Sequence, residues 1–294
     1  MHSSLKVYNE EVFNFINKDF EIINLADDCL FTEGPVWNSQ GFYLFSDIPA
    51  NCIYKISERS PKEVFLNNSG TNDPLHPDLK TDQAGSNGLA YDIKGDLLVC
   101  QHGGHAIAKY DGKSLKPFIH NFQNKPFNSP NDLILHSDGR IYFSDPPYGL
   151  KDGKPNTEKY QPLAGVYCYK DGVCELISDK YQYPNGVCLS PDEKVLYICS
   201  NKPFENFISA YDTSTHKFLK TFAKETSDGI ECDDSANIYL CNKDGIIILD
   251  SNGKRLALIE LESIPANICW GGKNRKDLFI TARENTFLIK GFHK

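Results

Sequence analysis

The chain has 294 residues, 40% of them hydrophobic and 24% charged, which is the composition of a folded globular protein and excludes a disordered one. A formal net charge of -8 with no clustered basic face argues against a nucleic-acid partner, and the longest apolar runs, such as Gly245 to Leu249, fall far below the roughly 20 residues of a membrane-spanning helix. The opening MHSSLKVYNEEVF lacks the apolar core of a secretory signal, so a cytoplasmic protein is expected.

In chain order, residues 10–17 (EEVFNFIN) are expected as a short helix inside an N-terminal extension over residues 1–19. Residues 20–24 (FEIIN) are read as a strand whose partner lies at the other end of the chain.

From residue 33 onward six segments follow one plan. Each begins with a polar anchor: Glu33 in EGPVW, Asn87 in SNGLAYD, Asn131 in PNDLILH, Asn185 in PNGVCLS, Asp228 in SDGIECD and Asn267 in ANICW. A short apolar strand follows each anchor, then a turn (NSQG, DIKGD, HSDGR, SPDEK, DDSAN, GGKNRKD), then a second apolar strand. Phe45, Val99, Phe143, Ile198, Leu240 and Ile280 in those second strands lie 12 or 13 residues after their anchors. Anchor spacings of 54, 44, 54, 43 and 39 residues suit four-stranded blades with insertions.

The expected fold is therefore all-β: a six-bladed β-propeller forming a single domain over residues 1–294, with a metal site at one end of its central channel. Only 27 residues follow Asn267, enough for about three strands, so residues 20–30 are expected to supply the closing outer strand of the last blade. Of the ten cysteines none has CxxC spacing, which predicts free thiols; Cys100, Cys199 and Cys241 are expected to pack in strands. Tyr54, Tyr142, Tyr167 and Tyr211 are likewise expected to pack.

The first strand of a blade lies nearest the axis, so its six starting positions form a circle round one channel mouth. One Asn-Gly marks a turn; six polar anchors in register describe a ring. Carboxylates at Glu33 and Asp228, with amides at Asn87, Asn131, Asn185 and Asn267, offer the oxygen ligands of a hard divalent cation, calcium first, with magnesium, manganese or zinc as alternatives. Hairpins return the second strands to this rim, adding Ser46, Asp47, His102, His105, Asp145, Tyr148 and Asn201. Insertions at residues 67–86 and 151–163 are expected on the same face as lids.

The strings FTEGPVW, FSDIPANCIY, SNGLAYD, CQHGG, SPNDLILHSDGRIYFSDPPYGL, YPNGVCLSPDEKVLYICSN and SDGIECDDSANIYL resemble the gluconolactonase, regucalcin and luciferin-regenerating family, bacterial gluconolactonases most of all. The resemblance, which runs from about residue 20 to the end, implies one divalent metal at the mouth. By position it implies metal ligands at Glu33, Asn185 and Asp228, a fourth polar contact to metal or substrate at Asn131, and proton transfer at Asp228. Where similar gluconolactonases carry two arginines after CxHG, this chain has His105 and Ala106, a weaker polar grip on sugar hydroxyls.

The function expected is metal-dependent hydrolysis of a small lactone. Asp228 or His102 would deprotonate water, and Asn131, Asn87, His105 and Tyr148 would contact the substrate. No GxSxG elbow is present to support a covalent serine route. The alternatives are an aryl-ester or organophosphate hydrolase using the same metal, or a non-catalytic calcium-binding propeller. A monomer or weak homodimer is expected.

Overall fold

Six antiparallel sheets succeed one another along the chain in the computed structural model, which describes residues 4–294. Blade one is built from Thr32–Asn38, Phe42–Asp47, Cys52–Ser57 and Ser60–Asn67. Blade two is Ser86–Tyr91, Leu97–Gln101, Ala106–Tyr110 and Leu115–Ile119. Blade three is Leu133–Leu135, Ile141–Asp145, Gly165–Lys170 and Val173–Ser178. Blade four is Val187–Leu189, Val195–Ile198, Ile208–Asp212 and Phe218–Ala223. Blade five begins with Ile230–Cys232, Ile238–Asn242, Gly245–Leu249 and Arg255–Glu260, and blade six with Asn267–Gly271, Asp277–Ala282 and Asn285–Ile289. The first strand of each blade touches the first strand of the next, and that of blade six returns to blade one, which makes the fold a six-bladed β-propeller.

Ring closure uses the N-terminal segment. Ile22–Ala26 pairs antiparallel with Asn285–Ile289, with Ile22 opposite Ile289 and Ile23 opposite Leu288, and so becomes the outer strand of blade six. This pairing of residues far apart in sequence joins the two ends of the chain in one blade and so closes the ring. The residues ahead of it, expected as an extension with a helix, are built into the wall. Ser4–Val7 adds a fifth strand to blade five beside Arg255–Glu260. The helical piece is one 3₁₀ turn, Glu10–Asn14, capped by Asn9, whose Oδ1 accepts from Glu11 N at 3.0 Å. Val12 and Ile16 are fully buried against Phe292 and blade six.

The core lies between blades, because strand alternation gives each sheet two apolar faces. On Phe42–Asp47, Leu44 faces Leu89 and Val99 of blade two, while Tyr43 and Phe45 face Phe279 of blade six. Tyr142, Tyr167 and Tyr211 are buried in the same way and Tyr54 packs at an edge. All ten cysteines are free, and burial raises the thiols of Cys100, Cys199 and Cys241 well above their ordinary pKa, leaving them as inert packing groups.

First hairpins are closed by short polar side chains bonding the backbone two residues on: Asn38 accepts from Gln40 N at 2.9 Å, Asp92 from Lys94 N at 2.9 Å and Asp233 from Ser235 N at 2.9 Å. The glycine after several anchors has another purpose. At Gly186 a Cβ would lie 2.7 Å from the Asp228 carbonyl oxygen, and at Gly34, where φ is +49°, it would collide with the Asn87 carbonyl. These glycines let one anchor approach the next round the channel. Among the described residues no helix is long and apolar enough to cross a membrane.

Candidate functional site

Neighbouring anchors are tied by backbone hydrogen bonds across blade boundaries: Gly88 N to Asn131 O at 2.7 Å, Gly186 N to Asp228 O at 2.9 Å and Gly229 N to Ala266 O at 2.7 Å. The ring is therefore a backbone structure before any ligand is considered. Glu33, Asn87, Asn131, Asn185 and Asn267 are buried, while Asp228 keeps partial access to solvent.

The two ring carboxylates feel each other. Burial, followed by the negative charge of Asp228, pushes the Glu33 carboxyl well above the ordinary carboxylate range. Burial pushes Asp228 up to about 6, against the opposing effects of a hydrogen bond from Asn201, the charges of Arg283 and Lys202, and a hydrogen bond from Asn185.

The donors around Asp228 converge on one oxygen. Asn185 Nδ2 and Asn201 Nδ2, the latter at 2.9 Å, both donate to Oδ1. Tyr148 OH donates to Asn201 Oδ1 at 3.1 Å and receives Asn185 Nδ2 at 3.4 Å, so these two amides have their NH₂ groups fixed. Burial raises the Tyr148 phenol well above its normal pKa and keeps it neutral.

On the other side of the mouth sits His102, fully buried. Its Nδ1 lies 2.9 Å from the Gln83 carbonyl, an acceptor, so Nδ1 carries the proton and Nε2 presents a lone pair. Asn87 Nδ2 and Asn131 Nδ2 both stand 3.5 Å from that nitrogen. Burial lowers the imidazole to about 4, so it is neutral at pH 7.

His105 is drawn into the lid. Its Nδ1 donates to the Asn128 carbonyl at 2.6 Å and its ring stacks on Tyr160 at 4.3 Å. The two insertions pair with each other: Lys80 N bonds Gly149 O and Lys151 N bonds Asp78 O, both at 2.9 Å, and Lys159 Nζ meets Asp78 Oδ2 at 2.6 Å. Gly149 rests on His102, since a Cβ there would lie 2.8 Å from the imidazole's own Cβ.

Two other rim carboxylates are occupied by backbone. Asp47 accepts from Leu30 N at 2.9 Å and Phe31 N at 3.1 Å; Asp145 accepts from Asn128 N at 2.9 Å and Ser129 N at 2.8 Å. Each clips the chain entering its own blade. A cavity of about 710 Å³ opens beside Asp228 and is walled by Asn201, Lys202, Lys224, Lys243 and Arg283. Asn201 was legible on the rim, but Lys202 and Arg283 as neighbours of Asp228 were not, because each lies in a loop outside the repeated anchor pattern.

A family model, the SMP-30/gluconolactonase/LRE-like region, matches residues 31–284, which include all six anchors and Arg283. The chain belongs to that family. Within it, a gluconolactonase of Zymomonas mobilis is 33% identical over 285 residues, covering 90% of this chain and 80% of the relative. A gluconolactonase of Xanthomonas campestris has a solved structure that superimposes with a TM-score of 0.83 at 24% identity, over 99% of this chain and 94% of that one. A calcium-binding regucalcin of Agrobacterium tumefaciens gives 0.72 at 17% identity, over 93% and 94%. These structural likenesses show the propeller fold.

Proposed function

We propose that this propeller hydrolyses small lactones at the channel mouth, using a divalent cation held by Glu33, Asp228 and the amide oxygens of Asn185 and Asn131. The observation that carries the reading is the ring itself: two carboxylates close enough that the charge of Asp228 raises the pKa of Glu33, surrounded by amides, in a chain 33% identical to a gluconolactonase. The donor set fits such an ion. Its groups are all hard oxygens, and a dication would relieve the charge repulsion between Glu33 and Asp228. Calcium suits a ring of this kind first, with magnesium, manganese and zinc as alternatives. When bound, the ion supplies Lewis acidity that polarises the ester carbonyl and offsets developing negative charge.

The remaining work falls to the chain. Asp228 Oδ1 is held by two amide donors, which leaves Oδ2 as the oxygen that takes the proton of attacking water. His102, the second proton-transfer candidate, has Nε2 directed at two amide NH₂ groups. We assign it the orientation of Asn87 and Asn131, whose Oδ1 atoms are thereby turned away from the imidazole toward metal or substrate. We assign substrate contact to Tyr148, beside Asn185 and Asn201, and to His105, through the Nε2 left over from its bond to Asn128.

The test is hydrolysis of glucono-δ-lactone and an aryl ester, followed by a pH indicator, before and after chelation and re-addition of each metal. Turnover that survives chelation overturns the metal assignment. Absence of turnover on every lactone overturns the reaction.

A further inference from the structure

The cavity beside Asp228 carries an excess of unpaired positive charge, although the molecule as a whole is acidic at -8. Of the five cations lining it, only Arg255 is neutralised, by a bidentate pairing with Glu225 at 2.6 and 2.8 Å. Among the described residues no carboxylate lies within 4 Å of the charged ends of Lys202, Lys224, Lys243 or Arg283. Asp244 is the only other carboxylate in the lining besides Asp228 and Glu225.

Two of the four cations are held in place. Lys202 Nζ sits 4.8 Å from the Tyr183 ring centre and 5.0 Å from that of Tyr148, which is itself bonded to Asn185 and Asn201. The Arg283 guanidinium lies 4.7 Å from the Phe31 ring centre, at the tip of a hairpin where its φ is +54°. Aromatic seating restricts the side chains without cancelling their charge. Lys202 approaches from blade four and Arg283 from blade six, so they flank Asp228 of blade five from both sides.

We propose that the substrate is an anionic lactone, one that carries a carboxylate or phosphate in addition to its ester, and that Lys202 and Arg283 receive this second group while the ester lies at the ring. The inference rests on the lactonase reading and names its substrate class. Solvent-exposed charges a few ångströms from an anion contribute modestly through water, and two of them together give a preference on the order of tenfold.

The experiment compares kcat/KM for glucono-δ-lactone, which is neutral, with 6-phosphoglucono-δ-lactone and a monolactone of an aldaric acid. The expected result is a preference of about tenfold for at least one anionic lactone, with a KM that rises with salt. Lys202→Gln and Arg283→Gln should each reduce the ratio of anionic to neutral kcat/KM, and together bring it near one. Equal kcat/KM for neutral and anionic lactones, or an unchanged ratio in the double variant, overturns the proposal. So does an effect of the variants on product inhibition alone, which would mean that the cations receive the carboxylate released by hydrolysis. Should no lactone be turned over, the reaction reading fails by itself, and calorimetric binding of glucarate against gluconate decides the anion site. Tighter diacid binding that is lost in the double variant sustains the site, and equal binding of the two acids removes it.

Discussion

His102 donates from Nδ1 to the carbonyl of Gln83, 2.9 Å away, and so a lid residue fixes the tautomer of an imidazole buried at the channel mouth. Its Nε2 then faces the amide NH₂ groups of Asn87 and Asn131. Lid, imidazole and ring amides form one connected unit.

From that unit follows the behaviour of His102 variants. His102→Ala should lower lactone kcat/KM or metal affinity by about 10-fold to 100-fold, the usual cost of losing a group that orients ligands. His102→Gln, whose side-chain oxygen can accept from the same amides, should recover part of the loss. Calorimetric metal titration of both variants separates orientation from simple loss of packing, which would leave them equally impaired.

Asp228→Ala removes the oxygen proposed to take the water proton. Lactone turnover should fall by about 10² to 10⁴, with the circular dichroism spectrum unchanged. A variant that keeps more than a tenth of wild-type kcat would transfer the proton step to another group.

Gly186→Ala places a methyl group 2.7 Å from the Asp228 carbonyl oxygen and 2.9 Å from Ile230 N, both of them backbone atoms that cannot step aside cheaply. Destabilisation of roughly 1–3 kcal/mol is expected, together with reduced turnover because the ring is spread. Urea unfolding and lactone kinetics on the same preparation check both.

Asp145, on the rim but outside the ring of anchors, supplies a pH signature of its own. Burial raises its carboxyl to about 7, whereas an unfolded chain titrates it near ~3.9. The folded state therefore holds more protons in this window, and the group's contribution to stability is complete below about pH 4 and is lost as pH rises through about 7. Measured by denaturant unfolding from pH 4.5 to 7.5, wild type should gain stability relative to Asp145→Asn as the pH falls. A difference independent of pH would show that Asp145 titrates normally.

Truncation separates the two N-terminal strands. Deleting residues 1–9 removes the fifth strand of blade five and the Asn9 cap of the 3₁₀ turn, so a cooperative transition at lower Tm is expected. Deleting residues 1–27 also removes the partner of Asn285–Ile289 and opens the ring, so cooperative unfolding should vanish. Calorimetry distinguishes the two outcomes.

The blades were legible because their signals are local: an anchor, two strands and a turn recur with nearly fixed spacing, and that alternation decides which side chains point between sheets. The six anchors were legible for the same reason, each being defined by its place in its own repeat. The need for glycine at positions 34 and 186 was not legible, because it is imposed by a neighbouring blade, which no single repeat reveals. Asp47 and Asp145 were placed correctly near the rim, but their engagement by backbone N–H groups depends on how the incoming chain passes them.

The amino-acid order by itself determined an all-β ring of six blades and the polar character of its mouth, because periodicity and residue chemistry act over a few residues at a time. Only the tertiary structure decided which oxygen of Asp228 is held, which way His102 points and that Lys202 and Arg283 stand beside it. Those relations join blades far apart along the chain, and their distances come from ring closure and from lids packing on each other, which leave no pattern in any one stretch of sequence.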